Sequence, residues 1–428
     1  MSAPTPSDAA VVRGGPRPGV SHGWVRAVAT VLAGLFAMGV LAALGLWAAG
    51  GTDLPEGGFP RAVVATVVVA VGGTVRLAGD AGALADTQAE LTAMPLSVTL
   101  AGALVIAAGF LRPLRHRAVA GARELALWAG RIGAVWLVAL IALARGARQT
   151  FTVPLGDGAI GDLGDLFGLS PKIGYTTDLP LTLLFGLLWL AGVFVLALLV
   201  SRGAPLPPRL VKPQESVRPA AFAMVALLLA CVALGVVIAL VVAVTRERPA
   251  ETVAVILLGL PNVVWPAFTL GLGATWTGRV DGPLALPLPH LLDEVLRTRD
   301  LATLDLGTLA AHDGRVWWLV VVDTVLVLAA AVVMAVRSPA RIRPWRHALH
   351  MAAALALTAL VIGLVCRVSA HYGLSLIGVG DLNGGLSGVL FLTARLWTAI
   401  GFAALWGLVA GFVGALLALG VRRRGEVP

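Results

Sequence analysis

Charge is scarce in this chain. Only 13% of its 428 residues are Asp, Glu, Lys or Arg, against about a quarter in soluble domains. With 58% of residues hydrophobic, a soluble globular fold is excluded. Lysine is nearly missing: Lys172 and Lys212 stand alone beside 30 arginines. Cysteine is scarce too. Cys231 and Cys366 lie in separate apolar runs and form no CxxC pair, which excludes a disulfide framework and a Cys-type zinc site. They read as small core hydrophobes.

Catalytic signatures are also missing. The chain has no GxxxxGK[ST] phosphate loop, no Gly-x-Ser-x-Gly elbow, no Ser-x-x-Lys of the class A β-lactamase type and no HExxH. No two histidines lie deep in an apolar run, where they would hold haem; His347 and His350 sit at a helix boundary. The expectation is a protein that is not an enzyme and has no cofactor.

What fills the chain is long apolar runs, the mark of a polytopic helical membrane protein. The pattern predicts eight full spans at 27–49, 94–111, 125–144, 179–200, 219–244, 316–336, 348–370 and 396–420. The first run is too long for a signal-peptide core of about 7–15 residues, so it is expected to stay as a span. The preceding stretch 1–23, rich in Pro, Ser and Gly, is expected to be disordered.

Two more apolar segments, 60–75 and 253–276, fall outside this count; the first is short for a span and the second is interrupted by Pro261 and Pro266, so membrane-dipping segments are expected, with ten spans as the alternative. If both only dip into the membrane, the inside segments hold eighteen basic and four acidic residues, and the outside loops twelve basic and eighteen acidic. That is a positive-inside pattern. Counting the first dip as a crossing would place Arg112, Arg115 and Arg117 outside. The net charge of +9 therefore reads as membrane orientation, with the lipid bilayer as partner and no nucleic acid.

Three patches recur. Arg112-Pro113-Leu114-Arg115-His116 returns as Arg343-Pro344-Trp345-Arg346-His347. Pro60, Gly72 and Thr74 return at identical spacing as Pro261, Gly273 and Thr275; Arg145, Gly156 and Gly158 return as Arg367, Gly378 and Gly380. The expected architecture is all-α: two parallel tandem repeats, 27–200 and 219–420, each of four spans plus one re-entrant segment. A cytoplasmic N-terminus (1–26), an extended Pro-rich linker (201–218) and a cytoplasmic tail (421–428) complete it.

Broken helices at matching positions of two halves point to a central site, because freed backbone groups at membrane depth must face protein or water. The candidate pathway residues are Pro261, Asn262, Trp265, Pro266, Gly271 and Gly273 in one dip, and Pro60, Gly72, Gly73 and Thr74 in the other. Asp323 and Arg367 are the ionisable residues placed within spans of the second half at similar depth, which predicts an ion pair. Asp323 is also the candidate protonatable gate. Arg131, in the first half, is expected to reach toward the inner surface.

Outside, Leu291, Leu292, Val295 and Leu296 form an apolar face suited to the membrane surface. His290, Asp293 and Glu294 share the helical i, i+3, i+4 spacing of a weak metal-site candidate; a solvated polar face is the stronger reading. Asp157, Asp162 and Asp165 lack the EF-hand order of ligands.

Several stretches resemble the streptophobe family, multi-pass membrane proteins of streptomycetes. They are Leu100-Ala101-Gly102-Ala103-Leu104-Val105, Phe110-Leu111-Arg112-Pro113-Leu114-Arg115-His116, His290-Leu291-Leu292-Asp293-Glu294-Val295 and His312-Asp313-Gly314-Arg315-Val316-Trp317-Trp318. Pro261-Asn262-Val263-Val264-Trp265 is similar to a more distant actinobacterial membrane family. The resemblance implies a bacterial plasma membrane protein and brings no activity or catalytic residue. The functional expectation is a transporter-like or channel-like protein for a small solute, ion or lipid. The alternative is a scaffold, assembly factor or sensor that binds a membrane or extracellular protein through its external loops.

Overall fold

A computed structural model describes residues 21–53, 57–73, 75–80, 85–114, 122–147, 149–152, 172–201, 208–245, 249–281, 301–339, 343–376 and 388–420. The first half contains α1 (Ser21–Ala48), α2 (Gly58–Ala70), β1 (Val75–Asp80), β2 (Ala85–Thr92), α3 (Leu96–Leu111), α4 (Ala122–Gly146), β3 (Gln149–Thr152), β4 (Lys172–Thr177) and α5 (Leu179–Val200). The second contains α6 (Pro208–Thr245), α7 (Pro249–Gly271), β5 (Trp276–Asp281), β6 (Ala302–Leu304), α8 (Leu306–His312), α9 (Trp318–Arg337), α10 (Pro344–Val365), β7 (Val368–Leu376), β8 (Gly388–Ala394) and α11 (Leu396–Leu417). This is a multi-pass membrane protein: among the described residues, eight helices are long and apolar enough to cross a bilayer.

Those eight differ from the expected spans in one exchange. Pro249–Gly271 belongs to them, and α3, with 16 residues, falls short. The expected span 348–370 stops earlier, because α10 ends at Val365 and an extended strand takes over at Val368. From Pro208 onward the segment expected as an extended linker is helical. Pro208 opens α6, where its missing N–H costs no hydrogen bond.

The all-α expectation needs its main correction here. Eight strands form one antiparallel sheet in the order β3-β4-β1-β2-β7-β8-β5-β6. The two halves meet at β2 and β7, paired from Ala85↔Leu376 to Thr92↔Ser369. The first half contributes β3-β4-β1-β2, and the second β7-β8-β5-β6, which is the same order when strands are matched by their place along each half. β1 spans 75–80 and β5 spans 276–281, so β5 follows β1 at a constant 201 positions.

The sheet lies at one end of the helix layer. α3 and α5 begin within a few residues of β2 and β4; α4, α7 and α10 end just before β3, β5 and β7. α11 begins right after β8. Local chemistry fixes these junctions. Asp178 caps α5 by accepting from Leu181 N–H at 3.2 Å. Asp305 and Thr308 form a reciprocal capping box at the start of α8.

Tryptophans mark the boundaries of the apolar layer. Trp47, Trp317, Trp318 and Trp397 are exposed toward the sheet end, and Trp24 and Trp345 at the opposite end. That is the distribution of interfacial aromatic belts. Each half also has its own apolar core. One cluster runs from Ala27 to Ala197, the other from Ala220 to Ala410 with Leu96 added from the first half. α10 and α11 approach closely because Gly407 and Gly411 carry no side chain. A Cβ on Gly407 would stand 2.5 Å from Ala352 Cα, the small-residue contact typical of membrane helices.

Candidate functional site

The two apolar segments read as dips become α2 with its following turn, and α7. Both begin at the sheet end. α1 runs toward that end, since its Thr30 packs on Gly109 and its Met38 on Gly102 of the oppositely directed α3. α6 does the same, because Arg337, at the far end of α9, stacks over the ring of Phe222. α2 and α7 follow those two helices, and the strands after them rejoin the sheet.

Both also end beside the first turns of a neighbouring helix. Gly72 abuts Phe185, six residues into α5, and Gly273 abuts Phe402, six residues into α11. At 1.5 Å per residue this is about 9 Å inside the helix starts. The stop is built identically. Gly72 N–H donates to Val69 O and Gly73 N–H to Val68 O; Gly273 N–H donates to Leu270 O and Ala274 N–H to Thr269 O. Every partner is offset by 201. Gly72 has φ +91 and Gly273 φ +101, a backbone region that side-chain-bearing residues avoid. Each half thus ends a helix inside the layer and turns the chain back on a glycine.

A polar side chain stands against each turn. In the first half Thr99 Oγ1 donates to Ala70 O at 2.6 Å. The corresponding residue of the second half is Gly271, and the carboxylate oxygen Asp323 Oδ2 occupies the space a Cβ there would need. Asp323 is 3% exposed. Thr182, fully buried in α5, faces Gly73. Among the described residues, Thr182 Oγ1 and Asp323 Oδ2 are the buried side-chain oxygens with no hydrogen-bond partner. Both lie at these turns. An unpartnered buried oxygen is costly and calls for an explanation.

Arg367 is not that partner. It sits exposed between α10 and β7, beyond the helix end, so the expected Asp323–Arg367 pair is absent. Hydropathy placed Arg367 inside a span, but the strand preference of Val368–Leu376 ends the helix first. Arg131 reaches back to Gly23, toward the end opposite the sheet.

The remaining residues of the second dip hold the halves together. α7 is kinked at Gly259, with φ −140 and ψ 18. There Ser97 of α3 enters the helix ladder: its Oγ donates to Ile256 O at 2.8 Å and accepts from Leu260 N–H at 3.2 Å. Asn262 Oδ1 accepts from Leu96 N–H at 3.0 Å, and its Nδ2 donates to Met94 O at 2.8 Å. Trp265 Nε1 donates to Leu228 O at 3.3 Å. Pro261 and Pro266 are buried. The Pro266 carbonyl accepts from Thr269 Oγ1, which in turn accepts from Trp276 Nε1 at 2.9 Å. Pro60 is exposed on α2.

The structure therefore brings Gly271, Gly273 and Asp323 together. It puts Asn262, Trp265 and Pro261 at the joint with α3 and α6. Sequence reasoning did not find Ser97, Thr99 and Thr182; lone hydroxyl residues in apolar runs carry no signal of which backbone they will meet. Thr74, His290, Asp293, Glu294, the apolar face of 291–296, Asp157, Asp162 and Asp165 lie outside the described residues. No family model matches this chain, and neither does any curated protein or solved structure.

Proposed function

We propose that this is a transporter-like or channel-like protein of the bacterial plasma membrane, with both termini cytoplasmic and the sheet outside. In this reading the chain is one unit written twice in parallel. α2 and α7 are its re-entrant segments, and a small solute, ion or lipid passes beside their turned ends. The observation that carries it is the buried Asp323 carboxylate at the end of an interrupted helix, since ionisable groups at membrane depth favour a pathway over mere packing. The common strand order of the halves and the turns 201 residues apart support the duplication. The scarcity of charge and the missing catalytic motifs support a role that is not enzymatic.

The test is thiol accessibility in cells, with Cys231 and Cys366 first replaced and single cysteines placed along 60–73 and 261–275. An impermeant reagent added outside should label positions deep in both segments. Protection throughout would overturn the pathway. It would then favour the second reading, a scaffold or sensor, for which the eight-stranded sheet supplies a platform for a protein partner.

A further inference from the structure

We infer that the turn ending α7, together with Asp323, binds one monovalent, oxygen-preferring cation of the sodium class. This rests on the transport-like reading and names the ion that its site takes. The first ground is polarity. α2 and α7 end, rather than begin, inside the layer, so each presents carbonyl oxygens and the negative pole of its helix there, worth about half an elementary charge. Such ends attract cations and repel anions.

The second ground is Asp323. Its Oδ2 is buried, has no partner and stands on Gly271, at that negative pole. An ionised carboxylate against a helix C-terminus is repelled by it, and either a proton or a cation between them removes that repulsion; the cation also supplies the partner that the carbonyl oxygens of the turn call for. Among the described residues, those placed against this turn supply no cation. Leu319 precedes Asp323 on α9, Cys231 is in electrostatic range on α6, and Phe402 of α11 faces Gly273. Arg367 is outside.

The third ground is stoichiometry. Among the described residues, the polar side chains at the equivalent turn of the first half are the neutral hydroxyls of Thr99 and Thr182, beside the apolar Met94 and Phe185. One carboxylate per chain balances one unit charge. A divalent ion would want several carboxylates, and no group of three or more His, Cys, Asp or Glu occurs among the described residues. Gly271 is part of the site, because any side chain there would displace the carboxylate.

The experiment uses the full chain in detergent. Equilibrium binding of radioactive sodium to the wild type should approach one ion per chain and be displaced by unlabelled sodium but not by choline. Replacing choline chloride by sodium chloride at equal ionic strength should raise Tm saturably with sodium concentration. Asp323→Asn should lose both effects, and Asp313→Asn, at an exposed turn, should keep them. No bound sodium in the wild type, or an undiminished sodium effect in Asp323→Asn, would overturn the site. The wild-type binding arm decides even if Asp323→Asn fails to fold. Sodium bound while both re-entrant segments resist thiol reagents would keep the site and remove the pathway. Labelled segments without bound sodium would do the reverse.

Discussion

Asn262 closes on Leu96 across 166 residues of sequence, its Oδ1 accepting the Leu96 N–H at 3.0 Å while its Nδ2 donates to Met94 O. One amide thus satisfies a donor at the start of α3, where the first turn has no helical partner, and ties the second half to the first. Asn262→Leu keeps the size and removes both bonds. The expected loss is about 1–3 kcal/mol for the stranded backbone groups, read as a lower midpoint in denaturant unfolding of the purified protein.

Ser97 holds the kink of α7. Its hydroxyl replaces the direct Ile256–Leu260 link of the helix, which is how an inserted side chain bends a helix. Ser97→Ala should cost about 1–2 kcal/mol. It should also relax the kink, so a spin-label distance between the two ends of α7 should lengthen. An unchanged distance would show that Pro261 and Gly259 set the bend without Ser97.

The two turned glycines make a matched pair of tests. Gly72→Ala and Gly273→Ala each force a side chain into positive φ and should cost about 1–3 kcal/mol. At Gly72 the new Cβ would also press on Met94 and Phe185, both at 3.0 Å; at Gly273 its nearest neighbour, Phe402, is 3.4 Å away. Gly72→Ala should therefore be the more damaging, as thermal unfolding of both variants would show.

Packing of α10 on α11 offers a contrast within one helix. Gly407 and Gly411 face backbone of α10, whereas Gly401 has open space. Gly407→Val should lower folded yield sharply, and overpacking of this kind costs about 1–3 kcal/mol or more. Gly401→Ala should be neutral or slightly stabilising through helix propensity. Folded yield by size-exclusion chromatography separates the two.

Much of the helical layer was legible from the chain. The runs 27–49, 125–144, 179–200, 219–244, 316–336 and 396–420 became helices because they are long, apolar and nearly free of charge. Pro261 lay two residues from the kink at Gly259, and the recurring Gly72 and Gly273 marked the turns that end α2 and α7, whereas Pro266 stays inside the helix. The sheet had a readable trace that went unused: Val368-Ser369-Ala370-His371-Tyr372 alternates with period two, as do Trp276, Gly278 and Val280 against Thr277 and Arg279. The hydropathy of the flanking helices masked it. A window long enough to see a span averages a six-residue strand away.

The sequence by itself determined that this chain lives in a bilayer, roughly where most of its long helices lie, and that three short patches recur, each at its own offset. These are properties of composition and local order, which act through solvent transfer and backbone geometry. Only the tertiary structure decided that β2 pairs with β7, that Asn262 serves Leu96, and that Asp323 meets Gly271 rather than Arg367. Those contacts join residues 52 to 291 positions apart. Their partners are selected by which helices pack together, and no residue carries that choice in its own neighbourhood of the chain.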